Sequence, residues 1–159
     1  MTVSFMKKRS GLKTAMLNGL DSVTVSSVRY AVFDASDIPT DFGVSSTNDR
    51  QFVLEEGSSY ILIGAPCMKS GTISFQWYDE TNSQNIGFKG NLISGSNQRN
   101  LNPQYRKEAV AYIPSTDFGG SSITVSLRIT VVSGTPDLTF EPQFSSIGGL
   151  PCLQIIKKE

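Results

Sequence analysis

The sequence predicts an all-β domain of the sandwich or barrel type. In residues 122–132 aliphatic side chains alternate with Thr, Ser and Arg, so one face of a strand would enter a core and the other would meet water or a partner. About eight such segments are separated by turn-forming residues, and none has a convincing helical period. Short strands at this spacing are typical of sandwiches and barrels.

Length and composition favour one globular domain. At 159 residues the chain can bury a substantial core but is short for two domains. Apolar residues make up 38% and charged residues 18%, which is typical of a folded protein. The 14 basic and 14 acidic residues cancel, so we expect neither nucleic acid nor an anionic membrane as a partner. No apolar run is long enough to cross a bilayer.

Residues 1–20 are predicted to form an N-terminal arm ahead of a domain at residues 21–159. The basic cluster is not followed by the uninterrupted apolar segment of a secretory signal, so we expect the chain to fold inside a cell. The basic residues of the arm are Lys7, Lys8, Arg9 and Lys13. The arm is either solvated and partly extended or an anchor that becomes ordered on a partner surface.

The first strands begin near residue 22. Residues 22–34 hold two alternating stretches whose phase changes near Ser26 and Ser27, which indicates a bulge or a break. Residues 35–48 are rich in Ser, Thr, Asp, Pro and Gly and are predicted to be a loop. Residues 58–66 have few polar interruptions, which indicates burial on both faces and a central position in a sheet.

The second half continues the pattern. Residues 72–89 are predicted to be a hairpin, because two alternating stretches flank the polar residues 79–84. The polar stretch at residues 91–105 is long for a loop in a compact domain, and such loops are usually functional or contact surfaces. The remaining segments are strands at residues 109–113 and 122–132, a short segment at 138–144 and a final strand at 152–156.

The sequence offers little to catalysis. It has no histidine, which excludes the commonest general base and every Ser-His or Cys-His arrangement. Adjacent acids such as Glu55-Glu56 and Asp79-Glu80 fall in turns, where carboxylates are usually solvated. We therefore expect no enzyme and no cofactor.

Metal binding is not expected either. Asp34, Asp37 and Asp41 could suggest calcium ligation, but the dense alternating oxygens and the glycine of an EF-hand are missing, so turn-forming aspartates are favoured. Cys67 and Cys152 are far apart and lack the spacing of a zinc site. Two buried free thiols are favoured over a disulfide, because the expected compartment is reducing.

Two features could serve glycan binding. Trp77 and Tyr78 could form a stacking platform, although Trp77 shares its parity with Ile73 and Phe75 and is expected in the core. The amide-rich residues 91–104 could contact a glycan or a protein, and are equally compatible with a solvated loop.

Three segments carry a family resemblance. They are Phe52-x-Leu54 with the turn and Tyr60-Ile-Leu-Ile that follow, Ser122-Ile-Thr-Val-Ser-Leu-Arg-Ile, and Leu150-Pro-Cys-Leu-Gln-Ile-Ile. In this order they resemble the tumour-necrosis-factor-like jelly rolls, a superfamily that includes the globular heads of complement component q and many bacteriophage virion domains. The resemblance covers residues 50–156 and implies a single-domain jelly-roll β-sandwich.

The resemblance also implies a homotrimer whose subunits meet along the inner sheet. The expected interface residues are Tyr60, Tyr78, Tyr112 and Phe140, because aromatic side chains supply large contact areas. Each could equally be an ordinary half-buried sheet aromatic. The family arrangement would also bring the end of the Tyr60 strand beside the start of the final strand, and so Cys67 near Cys152.

Two functions follow as expectations. The first is a virion structural protein, a trimeric cement or decoration protein that binds the major capsid protein, or another virion protein, and stabilises a phage head shell assembled in the host cytoplasm. The second is a fibre-tip or adhesin module that recognises a host-surface glycan through its loops. The first is favoured, because a fibre tip needs a connecting shaft and the sequence shows neither a collagen-like repeat nor a coiled-coil heptad.

Overall fold

The structure of the protein, a computed structural model, describes residues 11–17, 23–24, 29–31, 33–46, 48–64, 70–94, 106–138 and 153–159. Within these ranges nearly all regular structure is antiparallel strand, which confirms the all-β prediction. The strands are β1 Leu12–Leu17, β2 Val23–Thr24, β3 Arg29–Tyr30, β4 Val44–Ser46, β5 Gln51–Leu54, β6 Ser59–Gly64, β7 Ser70–Asp79, β8 Gln84–Ser94, β9 Arg106–Lys107, β10 Ala109–Ile113, β11 Ile123–Leu138 and β12 Leu153–Lys158. Short 3₁₀ turns occupy Ala35–Asp37 and Ser115–Phe118.

Four strands form the first sheet, sheet I, in the order β1-β12-β6-β10. β6 lies between β12 and β10, which confirms the central position predicted for this apolar segment. Its end lies beside the start of β12, where Gly64 pairs with Leu153, as the family resemblance implied.

The long strand β11 is the centre of the second sheet, sheet II. β7 pairs with one edge of β11, and β5, β3 and β2 pair in succession with the other edge. β4 extends the sheet beyond β5, and β8 with β9 extends it beyond β7. The segment with the clearest alternation in the sequence is therefore the strand with the most partners in this sheet.

The hydrophobic core lies between the two sheets. Trp77 on β7 is fully buried, and its indole Nε1 donates to the backbone oxygen of Ala109 on β10 at 3.3 Å. Gly64 leaves room for the indole, because a Cβ there would lie 3.1 Å from Trp77 Cζ2 and 2.9 Å from Leu127 Cδ2. The prediction that Trp77 belongs to the core is confirmed.

Residues 12–17 are part of sheet I rather than of a solvated arm. They form β1, which pairs with β12 along its whole length and buries Ala15 and Leu17. The sequence did not predict this strand, because its apolar alternation is short and is interrupted by Lys13 and Thr14. The earlier part of the predicted arm, residues 1–10, lies outside the described residues.

The predicted loop at residues 35–48 contains the 3₁₀ turn Ala35–Asp37 and strand β4. Asp34 caps the turn: its Oδ1 accepts a hydrogen bond from the N–H of Ser36 at 2.9 Å and from Ser36 Oγ at 2.6 Å. These hydrogen bonds lower the pKa of Asp34. Asp34 is therefore a turn-forming aspartate, as predicted.

Candidate functional site

The outward side of sheet I is largely apolar. Because side chains alternate along a strand, the residues between the core positions share the opposite side. We call the following set the apolar face: Leu12 and Met16 on β1, Ile61 and Ile63 on β6, Val110 and Tyr112 on β10, and Ile156 on β12. The polar residues on the same side are Thr14, Ser59, Gln154 and Lys158.

The strand register makes the apolar face continuous. Ile156 pairs with Ile61, and Ile61 pairs with Tyr112, so these three side chains form one row across three strands. In the next row Ile63 pairs with Val110. Cβ atoms of directly paired residues lie about 5 Å apart, which places the side chains of each row in contact distance.

Much of this face is open to solvent. Leu12 is 70% exposed, Met16 52% and Tyr112 62%, and the remaining members are partly exposed. The sequence predicted that β6 would be buried on both faces, whereas in the single chain only Tyr60, Leu62 and Gly64 are buried. The most exposed members lie on β1 and β10, and partly exposed isoleucines of β12 and β6 lie between them. Single exposed apolar residues are ordinary, but neighbouring ones on one side of a sheet make that side a candidate interaction surface.

One of the predicted interface tyrosines lies on the apolar face. Tyr112 is there and is exposed, as an interface residue should be before assembly. Tyr78 lies on the outward side of sheet II, half-buried against Arg128, so it belongs to a different surface. Phe140 lies outside the described residues.

Tyr60 was wrongly placed at the interface. Its parity on β6 is that of Leu62, so the side chain points into the core and has 0% exposure. The hydroxyl lies within hydrogen-bond distance of the backbone oxygens of Glu55 (3.0 Å) and Gly43 (3.1 Å), which share its single proton as acceptors. Burial, together with the negative charge of Glu55, raises the pKa of Tyr60 to about 12.

Lys13 is engaged within the chain. Its Nζ lies 3.0 Å from Glu159 Oε1 and 3.7 Å from Asp41 Oδ2, and the hydrogen bond and charge of Glu159 raise the pKa of Lys13. Its predicted role in an anchoring arm therefore does not fit its position on β1. The other predicted anchor residues and both thiols lie outside the described residues: Lys7, Lys8, Arg9, Cys67 and Cys152.

The outward side of sheet II is polar and already satisfied by its own neighbours. Arg128 on β11 binds Glu80 through Nη2–Oε2 at 2.8 Å and Nε–Oε1 at 3.3 Å, and buried Ser126 donates to the same Oε1 at 2.6 Å. The guanidinium carbon lies 3.3 Å from the ring centroid of Tyr78 and 5.5 Å from that of Tyr30. Charge-assisted hydrogen bonds and cation–π contacts of this kind stabilise the chain without a partner.

A cleft of about 330 Å³ opens at one end of the molecule, beside the β7–β8 turn. Its lining residues are Asp79, Asn82, Gln84, Ile86, Tyr112, Ile113, Asp117 and Ile123. Both carboxylate oxygens of Asp79 are occupied by Asn82, through the backbone N–H at 2.9 Å and Nδ2 at 2.7 Å. The exposed polar groups are those of Asn82, Gln84, Tyr112 and Asp117, and no described residue of the lining is cationic.

Among solved structures, the crystal structure of murine APRIL at pH 8.5 is similar to this chain. The match has a TM-score of 0.53 and covers 94% of this chain and 100% of that chain at 9% sequence identity. The protein has a tumour-necrosis-factor-like jelly-roll fold. This confirms the fold class that the sequence predicted, and at this identity the likeness concerns the fold alone. No protein-family model and no curated protein sequence matches the chain.

The described residues of this jelly roll lack two further features. No helix in those ranges is long and apolar enough to span a membrane. In the same ranges, no group of three or more His, Cys, Asp or Glu side chains is arranged to hold a metal ion.

The residues that sequence analysis missed are aliphatic. They are Leu12, Met16, Ile61, Ile63, Val110 and Ile156. A signal for two of them was present, because the segment around β6 is apolar at consecutive positions and not only at alternate ones. For the others the signal was absent, since a single apolar residue on an outward position is common in any sheet.

Proposed function

We propose that this chain is a non-catalytic structural protein that forms a homotrimer through the apolar face. The observation that carries the proposal is β6, a central strand that is apolar on both sides, where the described residues bury Tyr60 and Leu62 but leave the outward Ile61 and Ile63 partly exposed. A second copy is the simplest cover, because burial of apolar surface is the main favourable term in protein association. Tumour-necrosis-factor-like neighbours are homotrimers, which favours three copies over two.

The dimensions of sheet I are compatible with a contact between subunits. Four strands spaced about 4.8 Å apart, each about six residues long, give a surface of the width and length that subunit contacts use. The apolar residues of β6 and β10 occupy two adjacent rows, while Ser59 and Lys158 pair in the row beyond them. Apolar residues in contact with one another, with polar residues beside them, are usual in a protein interface.

The oligomeric state tests this proposal directly. We expect sedimentation equilibrium of the purified chain to give three times the mass of 17.3 kDa. A monomer at micromolar concentration would overturn the proposal.

For this trimeric structural protein, we propose a role in a virion, as a cement protein that binds and stabilises a phage head shell. Support comes from the zero net charge, from the predicted basic residues Lys7, Lys8 and Arg9, and from the resemblance to virion jelly rolls. The trimer would match three-fold or quasi-three-fold positions of a shell, where one subunit contacts each neighbouring shell protein.

Shell binding is tested by mixing the purified protein with empty head shells from the same source. We expect saturable binding with three chains per site and a higher temperature of shell disruption. The control is a chain that begins at residue 11, which keeps β1 but lacks the basic cluster. If the full chain fails to bind shells, the virion role is wrong while the trimer remains.

The cleft beside the β7–β8 turn favours a second candidate function, binding of a neutral glycan. Amide, carboxylate and phenol groups such as Gln84, Asp117 and Tyr112 suit sugar hydroxyls, and the lack of a cation among the described lining residues disfavours an acidic sugar. Binding of neutral oligosaccharides on a glycan array, lost in Gln84→Ala but kept in the exposed variant Glu56→Ala, would support this function over cement.

A further inference from the structure

The cleft of about 330 Å³ is the open end of the space between the two sheets. Asp79 lies two positions after Trp77 on β7, and Gln84 on β8 pairs with Asp79, so all three side chains are on the inward side of sheet II. Ile113 ends β10, Ile123 begins β11, and both are buried between the sheets. The inner end of the cleft therefore meets the apolar core.

Three isoleucines supply the apolar part of the cleft. Ile113 is 5% exposed and Ile123 3% exposed, while Ile86, which pairs with Trp77, is partly buried against the same core. The surface that they leave open is small, and a single methyl group covers an area of this size. A hydroxyl placed there would lose its hydrogen bonds to water without replacing them.

The polar groups of the cleft are mostly hydrogen-bond acceptors. The carboxylate of Asp79 accepts from the backbone N–H of Asn82 at 2.9 Å and from Asn82 Nδ2 at 2.7 Å, which leaves Asn82 Oδ1 as an acceptor. Asp117 is exposed, and among the described residues its side chain accepts from Thr116 Oγ1, at 3.4 Å and through Oδ1. A ligand of this cleft therefore has to donate N–H or O–H groups.

We propose that the ligand of this cleft is a glycan that carries an N-acetylated amino sugar. The inference rests on the proposed binding of a neutral glycan and names the class of sugar. The acetamido methyl covers the isoleucine surface, and the acetamido N–H donates to the carboxylate of Asp117. Ring hydroxyls donate to Asn82 Oδ1 and bond the amide of Gln84. An unmodified hexose has no methyl group for the isoleucines.

A free ammonium group fits this cleft less well, although two carboxylates line it. Asp79 is only 5% exposed, and both of its oxygens already accept from Asn82. Asp117 is exposed to water, where an ion pair contributes little to binding. An ammonium group beside the isoleucines would also lose hydration that an amide N–H does not have to give up.

Sugar titrations of the unmodified chain test the class of ligand. We expect methyl glycosides of N-acetylglucosamine or N-acetylgalactosamine to bind at least about 10-fold more tightly than those of glucose and galactose, because one apolar group in a pocket is worth roughly this factor. Chemical-shift titration of the ¹⁵N-labelled protein measures the dissociation constants. In saturation-transfer difference NMR the acetamido methyl should receive the strongest saturation.

Two variants test the two parts of the contact. Ile86→Thr keeps a branched side chain but adds a hydroxyl, so it should remove the preference for the N-acetylated sugar and leave hexose binding unchanged. Its matched control is Val132→Thr, since Val132 is 62% exposed on β11 in sheet II. Asp117→Ala should weaken binding of the N-acetylated sugar by on the order of 10-fold, whereas Glu56→Ala, at another exposed acid, should not.

The remaining outcomes separate this inference from the proposed glycan binding. If hexoses or 6-deoxyhexoses bind as tightly as the N-acetylated sugars, glycan binding stands and the class of sugar is wrong. Tighter binding of glucosamine than of N-acetylglucosamine would overturn the inference, because the cleft would then select a cation. If no neutral sugar binds, the proposed glycan binding fails first. Circular dichroism checks that Ile86→Thr is folded, and if it is not, the saturation pattern of the unmodified chain decides.

Discussion

The outward sides of sheet I and sheet II have the same strand geometry but opposite chemistry. On sheet II the outward positions carry hydroxyls and Arg128, whose guanidinium is held by Glu80 and by two tyrosine rings. On sheet I they carry mostly isoleucine, valine, leucine and methionine. The charged group of the first side is paired within the chain, whereas the second side leaves apolar surface partly exposed to water.

The largest effect is expected when a charge is placed at the centre of the apolar face. Ile61→Glu should raise the dissociation constant of the trimer by on the order of 1,000-fold, because an unpaired carboxylate buried in a contact costs about 4 kcal/mol. Thr130→Glu, at an exposed position of β11, is the control and should leave association unchanged. Equal effects of both variants in sedimentation velocity would mean that the two sides do not differ in function.

The next largest effect is expected where β8 of sheet II pairs with β10 of sheet I. Gly87→Ala places a Cβ against Val110 and should lower the free energy of unfolding by about 3 kcal/mol, of which the positive φ alone accounts for about 1 kcal/mol. Gly119→Ala is the matched control: it has φ +59° but nothing within 4 Å of the new Cβ, so only the smaller cost is expected. Urea denaturation of both variants measures the difference, and equal losses would contradict the close approach.

On sheet II, removal of Glu80 should weaken the fold without changing assembly. Glu80→Ala leaves the Arg128 guanidinium and the buried Ser126 hydroxyl without their acceptor, which should cost about 2 kcal/mol of unfolding free energy. Glu56→Ala, at an exposed turn position, should cost almost nothing. A change of native mass in Glu80→Ala would show that sheet II also takes part in association.

The smallest effect on stability is expected at high pH, where the buried Tyr60 of sheet I can ionise. The pKa of Tyr60 in the folded chain, about 12, exceeds that of an unfolded tyrosine at about 10, so ionisation favours the unfolded state. The stability from this group is complete below pH 10 and is lost as the pH rises towards 12. Tyr60→Phe should therefore show a shallower loss of stability in this range than the unmodified chain. Parallel curves would mean that Tyr60 ionises freely and is not buried.

Most of the fold could be predicted from the sequence, because period-two alternation is a local signal. The hairpin of β7 and β8, the central position of β6 and the core location of Trp77 all followed from it. Strand β1 did not, since its alternation is too short to stand out and its stability comes from pairing with β12, which lies at the far end of the chain.

The candidate site could be predicted from the sequence much less well than the fold. Tyr112, predicted at the interface from its residue type, lies on the apolar face, but the same reasoning selected Tyr60, whose parity on β6 directs it to the core. The 77% exposure of Phe88 on β8 also could not be predicted, because Phe88 lies at a register shift between β7 and β8 and beside Gly87, whose contacts are with the neighbouring β10. Residue type alone does not say on which side of a sheet a side chain lies.

The sequence by itself determined that the chain forms antiparallel strands around an apolar core, since alternation and turn residues act over a few neighbouring positions. Only the tertiary structure decided that Leu12, Ile61, Tyr112 and Ile156, which come from four distant strands, lie side by side on one surface. The physical reason is strand register: a shift by one residue would turn each of these side chains to the opposite side of the sheet, and long-range pairing sets that register.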